Sequence, residues 1–300
     1  MSIPLPKLKY VLITPAHNEE NTIEQTIQSV LSQTYLPLKW IIVSDGSTDL
    51  TDNIILEYSK KYSWISYLRM PEHKDRHFAA KVHAFNAAYE TVENTGFDII
   101  GNLDADATFD NEYFEFLMRK FMEDHRLGVA GTSFIENGQE LYNYNYTNIE
   151  HVTGIIQLFR RECFKEIGGY IPVKAGGIDW IAVTTARMKG WKTRTFLEKK
   201  YIHHRKMGTA GSGILRSSFN YGMKDYFLGG HPLWQIFRSV YQMKRKPYFI
   251  AGFLLFSGYI WAGIKRMKRP VSPELLRFHR HEQMLRLKRL YLNLISLKRE

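Results

Sequence analysis

The stretch Phe97-Asp98-Ile99-Ile100-Gly101-Asn102-Leu103-Asp104-Ala105-Asp106 decides how the fold is predicted. Residues 97–103 have the length and apolar composition of a buried strand, and two carboxylates one residue apart follow directly. Such a pair can share a hard divalent cation, because Mg²⁺ and Mn²⁺ prefer oxygen ligands and commonly bridge phosphates. An isolated Asp-x-Asp is most often an ordinary turn that caps a helix. The preceding strand and the carboxylates on neighbouring turns favour a binding site here.

The preceding part of the chain alternates between strand-like and helix-like segments. Apolar runs at residues 10–14, 40–44 and 65–68 predict three strands, and residues 78–92 predict a helix. This alternation indicates an α/β fold with a mostly parallel, Rossmann-like sheet flanked by helices. Ligands of such sheets bind beyond the carboxyl ends of the strands. The polar turns after the first, second and fourth strands lie at those ends. A capping box formed by Asn21 and Glu24 is predicted to start the first helix.

The second part of the chain is less regular. Residues 128–134 and 191–196 predict strands, and residues 179–189 predict a helix. From residue 214 the sequence becomes aromatic and apolar, and then basic. We therefore predict an α/β domain that carries the site at residues 1–213. A helical, apolar and basic C-terminal extension is predicted at residues 214–300.

Composition and missing motifs exclude several classes of protein. The 300 residues are 44% hydrophobic and 24% charged, which excludes a disordered chain. The one cysteine, Cys163, excludes an internal disulfide and a multi-cysteine zinc site, and it fits a reducing compartment. The sequence lacks G-x-G-x-x-G after the first strand, G-x-x-x-x-G-K-[ST], G-x-S-x-G and H-E-x-x-H. A dinucleotide fold, a P-loop, a serine hydrolase and a zincin are therefore disfavoured.

The net charge of +11 lies in the C-terminal tail. Residues 244–300 hold fourteen Lys or Arg against three Asp or Glu, whereas residues 1–243 hold 27 of each kind. A nucleic-acid enzyme would more often spread basic residues around its cleft, so we expect no nucleic-acid partner. A basic tail beside an apolar segment instead predicts an anionic membrane surface as the partner.

That apolar segment is the uncharged run at residues 247–264, which has basic residues on both flanks. Its eighteen residues are close to the lower limit for a membrane-spanning helix, which needs about 20. We favour a re-entrant or interfacial segment, with the protein cytoplasmic and held at the inner face of a membrane. A single span and a buried helical hairpin remain as alternatives.

Three motifs together carry a resemblance to a known family. Thr14-Pro15-Ala16-His17-Asn18-Glu19-Glu20, Asp45-Gly46-Ser47-Thr48-Asp49 and Asp104-Ala105-Asp106 resemble the signature of family-2 glycosyltransferases of the GT-A fold, over about residues 8–205. The resemblance implies an inverting transfer of a sugar from a nucleotide-sugar donor, with a divalent metal on the diphosphate. Family members usually carry an aromatic residue where His17 stands.

The resemblance also implies roles for individual residues. Thr14, Pro15, His17 and Glu19 would line the nucleoside pocket, Asp45 would contact the base, Asp104 the ribose or the metal, and Asp106 the metal. Lys81 and Asn86 stand where the family has a Lys and an Asn, and Lys81 would approach the diphosphate as a point charge. A solvated helix face is the alternative for Lys81. Arg76 and His77, just upstream, have the same two interpretations.

Asp179 is the candidate catalytic base. Gly176-Gly177-Ile178-Asp179-Trp180 resembles the family segment that holds the base, although Ile178 replaces the usual first acidic residue. An inverting displacement needs a carboxylate that takes a proton from the acceptor hydroxyl. Helix N-capping is the alternative role for Asp179, and the two roles are compatible.

Two histidines follow the strand after the base helix. The resemblance implies that a histidine from this region completes the metal site, and we assign His204 as the ligand, with His203 as the other candidate. An imidazole is a competent ligand for Mn²⁺ and a poor one for Mg²⁺. A basic loop without a metal role is an equally good interpretation. Arg205 and Lys206 are alternatives for holding the leaving diphosphate, and Tyr142, Tyr144 and Tyr146 are weak candidates for acceptor contacts.

The function implied is a metal-dependent inverting glycosyltransferase of the hexosyl- or N-acetylhexosaminyl-transferase class. Its cofactor would be Mn²⁺ or Mg²⁺, its donor a nucleotide sugar, with a UDP-sugar preferred, and its acceptor a hydroxyl on a glycan or a lipid-linked glycan. We place the reaction in the synthesis of a cell-surface polysaccharide or a lipid-linked glycan. A catalytically silent, membrane-anchored nucleotide-sugar-binding subunit and a sugar nucleotidyltransferase are the alternatives.

Overall fold

A computed structural model describes residues 8–72, 78–140, 148–205, 214–244 and 247–296. The chain divides into two compact units, Met1–Lys206 and Met207–Glu300. The division predicted between residues 213 and 214 stays a prediction. Tyr142, Tyr144, Tyr146, Arg76, His77 and Lys206 lie outside the described residues.

The first unit is built on a sheet whose first four strands are parallel. These strands are β1 (Tyr10–Ala16), β2 (Lys39–Asp45), β3 (Ile65–Met70) and β4 (Ile99–Leu103). They lie in the order β3-β2-β1-β4, and every neighbouring pair is parallel. The predicted parallel βαβ arrangement is therefore confirmed in this half, because apolar strands covered on both faces form such a sheet.

The other half of the sheet is mixed. Its strands are β5 (Ala107–Phe109), β6 (Leu127–Glu136), β7 (Gln139–Glu140), β8 (Ile156–Arg160) and β9 (Lys192–His203). β8 runs antiparallel to both β4 and β6, so β4 and β6 run in the same direction, and β9 is parallel to β6. The carboxyl ends of β1, β2, β4, β6 and β9 consequently lie at one edge of the sheet.

Over the described residues of the first unit, six helices accompany the sheet. They are α1 (Ile23–Leu31), α2 (Thr51–Lys61), α3 (Phe78–Val92), α4 (Tyr113–Glu123), α5 (Arg161–Glu166) and α6 (Ile178–Met188). Phe85 of α3 packs with Phe164 and Tyr170 in a core that also contains residues of β1, β2 and β4. The capping box predicted for the first helix is wrong, because α1 has Thr22 at its N-cap and no side-chain capping hydrogen bond.

The second unit is helical over its described residues. Its helices are α7 (Ile214–Phe227), α8 (Pro232–Met243), α9 (Ile250–Ile264) and α10 (Pro273–Ser296). Gly258 of α9 faces the backbone of α7 at Phe219, and Gly252 of α9 faces the backbone of α8 at Ser239. Glycine allows this close approach because it has no Cβ. The predicted helical extension is thus present, and α9 packs through its small residues.

The apolar run at residues 247–264, for which a membrane segment was one prediction, contains α9, a helix of 15 residues. In the parts of the chain that the structure describes, no helix combines the length and the hydropathy that crossing a membrane requires.

We predict that Gly258→Ala destabilises the second unit, because the added Cβ would overlap the backbone carbonyl of Phe219. Overpacking of this kind costs about 1–3 kcal/mol or more. The matched control on the same helix is Gly263→Ala, whose Cβ would meet the ring of Tyr226 at 3.4 Å. There the free energy of unfolding should stay constant or rise by up to about 1 kcal/mol from helix propensity. Urea unfolding followed by circular dichroism measures both, and equal midpoints for the two variants would contradict the packing described.

Candidate active site

Asp104 follows β4 directly and is held by two donors. The Lys81 ammonium of α3 forms an ion pair with Oδ1 of Asp104, and Asn102 Nδ2 donates to the same oxygen at 3.0 Å. Burial raises the pKa of Asp104, the nearby charge of Asp106 raises it further, and the charge of Lys81 opposes both. Lys81 therefore faces the strand-end carboxylate rather than forming part of a solvated helix face.

Asp106, two residues further on, is buried between two basic side chains. Nε2 of His203 lies 3.4 Å and Nε of Arg205 lies 3.7 Å from Oδ2 of Asp106. Burial by itself would raise the pKa of Asp106, but the hydrogen bond and charge of His203, with Arg205, bring it below its ordinary value. The site therefore contains an ionised carboxylate that can act as an anionic ligand.

His203 is held from its other side by Glu136. Nδ1 of His203 lies 3.1 Å from Oε2 of Glu136, and the two residues are register partners at the ends of β9 and β6. Burial would lower the pKa of His203, but Asp106 and Glu136 outweigh it and raise the pKa. The sequence patterns above did not predict Glu136. Its signal was an acidic residue at the end of an otherwise uncharged strand, residues 127–136.

The structure places His203 rather than His204 beside Asp106, and the assignment of His204 as the metal ligand stays a prediction. His204 is exposed, and its Nε2 lies 2.8 Å from Oγ1 of Thr108. β9 extends to His203, seven residues beyond the predicted end of that strand. Because successive side chains of an extended chain point to opposite faces, His203 faces Asp106 and His204 points away.

Glu19 lies at the same edge, in the turn after β1. Arg205 forms an ion pair with Oε2 of Glu19, and the hydroxyl of Thr22 donates to the same oxygen at 3.1 Å. Burial raises the pKa of Glu19 to about 7, against the opposing charge of Arg205, and the charge of Asp106 adds to the rise. One guanidinium thus bridges Glu19 and Asp106.

Two of the residues predicted to contact a nucleoside, His17 and Asp45, lie together in the structure. His17 Nδ1 lies 2.6 Å from the backbone oxygen of Asp45, so Nδ1 carries the proton and donates it to this carbonyl. Thr14 is fully buried, and its hydroxyl accepts a hydrogen bond from Trp40 at 2.9 Å. Pro15 is half-buried at the end of β1. The structure brings His17 and Asp45 together, whereas the side chain of Thr14 is buried against Trp40 of the neighbouring strand β2.

Asp179 lies in the first turn of α6 and does not cap that helix. The N-cap is Gly177, at φ 84°, and the helix start has no side-chain capping hydrogen bond. Oδ2 of Asp179 instead accepts a hydrogen bond of 3.3 Å from the backbone N–H of Gly154. The capping alternative for Asp179 is therefore wrong, and its carboxylate is directed at another loop.

The peptide group of Gly154 joins the two carboxylate sites. Its carbonyl accepts hydrogen bonds from Asn102 Nδ2 at 2.7 Å and from Lys81 Nζ at 3.3 Å, while its N–H donates to Asp179. Burial raises the pKa of Tyr170 well above its ordinary value, and the charges of Asp179 and Asp104 add to this rise. The Asp104 and Asp179 carboxylates thus lie near one buried ring.

The side chains at this edge offer few ligands for a divalent cation. Over the described ranges, no group of three or more His, Cys, Asp or Glu side chains is arranged to hold a metal ion. Protein-bound Mg²⁺ and Mn²⁺ often need only one or two side chains, with phosphate oxygens and water completing the shell. The adjacent carboxylate of Asp106 and imidazole of His203 form an oxygen–nitrogen pair that suits Mn²⁺. The residues present therefore fit a cation that arrives together with a phosphorylated ligand.

Paired carboxylates and facing cations at the strand ends define an α/β protein with a site suited to a phosphorylated ligand. The family model described as glycosyl transferase family 2 matches residues 11–181, more than half of the chain. The chain belongs to glycosyl transferase family 2.

Curated relatives are similar over about half of the chain. A poly-beta-1,6-N-acetyl-D-glucosamine synthase of Staphylococcus epidermidis is 25% identical over 171 residues, which are 51% of this chain and 39% of that protein. A protein of Bacillus subtilis described as the probable glycosyltransferase YdaM is 32% identical over 152 residues, 49% of this chain and 34% of that protein. The matched region is thus well under half of each relative's length.

Solved structures share the fold. S. aureus TarS 1-349 in complex with UDP-GlcNAc has a TM-score of 0.55 and 13% identity, covering 91% of this chain and 78% of that one. The mannosyltransferase PcManGT of Pyrobaculum calidifontis, in complex with GDP-Man and Mn²⁺, has a TM-score of 0.57 and 17% identity, covering 98% and 85%. These likenesses confirm the predicted GT-A fold.

We predict that Glu19→Gln changes how stability depends on pH. The pKa of Glu19 is raised from 4.5 to about 7, so between these values the folded state binds more protons than the unfolded chain. The free energy of unfolding of the wild type therefore falls as the pH rises through this window. Between pH 5 and pH 8, the free energy of unfolding of the wild type should fall by about 1–3 kcal/mol relative to that of Glu19→Gln. One pKa unit corresponds to about 1.4 kcal/mol.

Denaturant unfolding at the two pH values measures this difference. Glu20→Gln is the control, since it removes an exposed carboxylate from the same turn. A stability difference between the wild type and Glu19→Gln that is equal at pH 5 and pH 8 would contradict the prediction.

Proposed function

We propose that this chain catalyses the inverting transfer of a sugar from a nucleotide-sugar donor to a hydroxyl group of an acceptor. The observation that carries the proposal is the Gly154 peptide, which contacts Lys81 through its carbonyl and Asp179 through its N–H. A cation suited to a diphosphate and a carboxylate suited to a hydroxyl thereby lie on the two sides of one peptide group.

The proposed donor is a UDP-sugar of the hexose or N-acetylhexosamine class. One solved structure with the same fold contains UDP-GlcNAc, and one curated relative is named a synthase of an N-acetylglucosamine polymer. In this chain, His17 and Asp45 at the ends of β1 and β2 would contact the nucleoside, and Asp104 the ribose or the metal. Membership of the family supports the same class of reaction.

The proposed metal is Mn²⁺ or Mg²⁺, held by Asp106 and His203. A bound divalent cation would supply positive charge to the leaving nucleoside diphosphate. Lys81 and Arg205 already lie beside the strand-end carboxylates, and their charges would also stabilise the negative charge that develops on the diphosphate. The Mn²⁺ in a solved structure with the same fold supports this choice.

Asp179 is the proposed general base. Its carboxylate would take the proton of the acceptor hydroxyl while the hydroxyl oxygen bonds to the anomeric carbon. The bond from this carbon to the diphosphate oxygen breaks on the opposite face, and its electron pair leaves with the diphosphate. Attack opposite the leaving group inverts the anomeric centre. The hydrogen bond from Gly154 orients the carboxylate for this role.

We predict that the purified chain with Mn²⁺ consumes one donor from a panel of UDP-, GDP- and dTDP-sugars, releasing the nucleoside diphosphate slowly without acceptor. Asp179→Asn should lower kcat for transfer by about 10² to 10⁴, the usual contribution of a general base, with the Kd for the donor unchanged. Chromatography of the products and calorimetry with the nucleotide measure the two quantities.

Asp52→Asn is the matched control for this variant, because Asp52 occupies the same second position of α2 that Asp179 occupies in α6. Its kcat should stay within about twofold of the wild type. A loss below tenfold in Asp179→Asn would show that another group takes the proton. No consumption of any donor in the panel would contradict the proposed reaction.

The proposed setting is the synthesis of a cell-surface polysaccharide or a lipid-linked glycan, with the chain bound peripherally to the cytoplasmic face of a membrane. Support comes from the second unit, which exposes large apolar side chains on α8, on α9 and just before α9. They are Leu233, Ile236, Val240, Phe249, Phe253, Ile260, Trp261 and Ile264. Exposed lysines and arginines flank the two helices in the sequence at Lys244, Lys265, Arg266 and Lys268. Exposed apolar side chains together with cations suit an anionic lipid surface.

We predict that the full chain sediments with vesicles of phosphatidylglycerol and phosphatidylcholine, and much less with phosphatidylcholine alone. Phe253→Glu with Ile264→Glu should lower the partition coefficient tenfold or more, because it places charge on the two α9 side chains that are 62% and 71% exposed. Leu50→Glu, at an exposed leucine of the first unit, is the control and should bind as the wild type does. Wild-type chain that stays in the supernatant with anionic vesicles would contradict the membrane proposal.

A further inference from the structure

Three buried side chains form a line at the sheet edge. Glu136, His203 and Asp106 are 3%, 6% and 6% exposed, and the imidazole lies between the two carboxylates. Asp106 and His203 belong to the site already described. Glu136 contacts His203 but takes no part in the proposed reaction, although a buried carboxylate is costly unless it is paired.

The contact with Glu136 determines which ring nitrogen faces Asp106. A carboxylate accepts hydrogen bonds, so Nδ1 of His203 carries a proton and donates it to Glu136 at 3.1 Å. Nε2 is then directed at Oδ2 of Asp106, 3.4 Å away. Without an acceptor at position 136, the ring would lose the partner that selects this orientation.

A purely structural role for Glu136 is the alternative. β6 and β9 are already joined by backbone pairing that runs from Leu127 with Lys192 to Glu136 with His203. A buried ion pair is weak evidence for stability, because the cost of desolvation can exceed the attraction. The register places Glu136 directly beside the imidazole. This favours a role in holding the ring over a role in holding the sheet.

We infer that Glu136 is a positioning residue for His203 at the divalent-cation site, an inference that rests on the proposed function. Histidines that bind metals commonly donate their second N–H to a carboxylate, which fixes the tautomer and the ring orientation. Here that arrangement would leave Nε2 of His203 and the carboxylate of Asp106 as the two protein ligands, with Glu136 behind them.

The test measures Mn²⁺ affinity directly, by electron paramagnetic resonance of free Mn²⁺ titrated with protein in the presence of UDP. Glu136→Gln should weaken Mn²⁺ binding about 10- to 100-fold, the usual effect of losing such a partner. Glu136→Asp, which keeps a carboxylate, should weaken it less. Glu140→Gln is the matched control, because it removes a carboxylate from neighbouring β7, where Glu140 is exposed and paired with Lys200. Its Mn²⁺ affinity should equal that of the wild type.

The outcomes separate this inference from the proposed function. If His203→Ala weakens Mn²⁺ binding while Glu136→Gln does not, His203 is a ligand and the positioning role is wrong. If His203→Ala leaves Mn²⁺ binding unchanged, the proposed metal site itself is wrong. A Glu136→Gln variant that is less stable but has wild-type Mn²⁺ affinity would assign Glu136 to the sheet alone. Should Glu136→Gln fail to fold, wild-type affinity in Glu136→Asp and in folded Glu136→Ala would equally overturn the inference.

Discussion

The site depends on the neutralisation of four carboxylates at one edge of a sheet. Glu19, Asp104, Asp106 and Glu136 lie at or just beyond the ends of β1, β4 and β6, where Glu19, Asp106 and Glu136 are buried and Asp104 is half-buried. Lys81 of α3 pairs with Asp104, and His203 and Arg205, from the end of β9 and just beyond it, pair with Asp106 and Glu19. Because an unpaired buried charge is costly, the fold must bring these cations to the edge. A phosphorylated ligand bound at this edge would lie near Lys81 and Arg205.

The antiparallel direction of β8 brings Asp104 and Asp179 together through Gly154. β8 runs antiparallel to β4, with Leu103 opposite Ile156, and the backbone N–H of Asp104 donates to the carbonyl of Ile155 at 2.8 Å. The preceding residue, Gly154, is thereby held beside Asp104. An added Cβ there would lie 2.8 Å from Cβ of Asp179, so only glycine allows this approach without a shift. The distance between the Asp104 and Asp179 carboxylates is thus set by sheet register and by one missing side chain.

The sequence predicted the parts of the fold that depend on local patterns. The four parallel strands, α3 and the strand-end carboxylates follow from apolar runs and polar turns, and the structure contains them. The choice between His203 and His204 could not be predicted, because it depends on where β9 ends, and the strand continues past the apolar run that indicated it. Glu136 was missed for a similar reason, since its partner is 67 residues away and is placed by sheet pairing.

The second unit shows the same limit of local patterns. The run at residues 247–264 is apolar on every side of a helix, so its composition cannot tell which face is buried. The glycines decide, because Gly252 and Gly258 let α9 approach the backbones of α8 and α7 closely. That packing uses the face with Ala251, Leu255, Tyr259 and Ala262, and it leaves the larger side chains Phe253, Ile260 and Ile264 exposed. The positions of the small residues, rather than mean hydropathy, therefore determine which apolar side chains of this unit are exposed. As a result, α9 is packed on one side and exposes apolar side chains on the other.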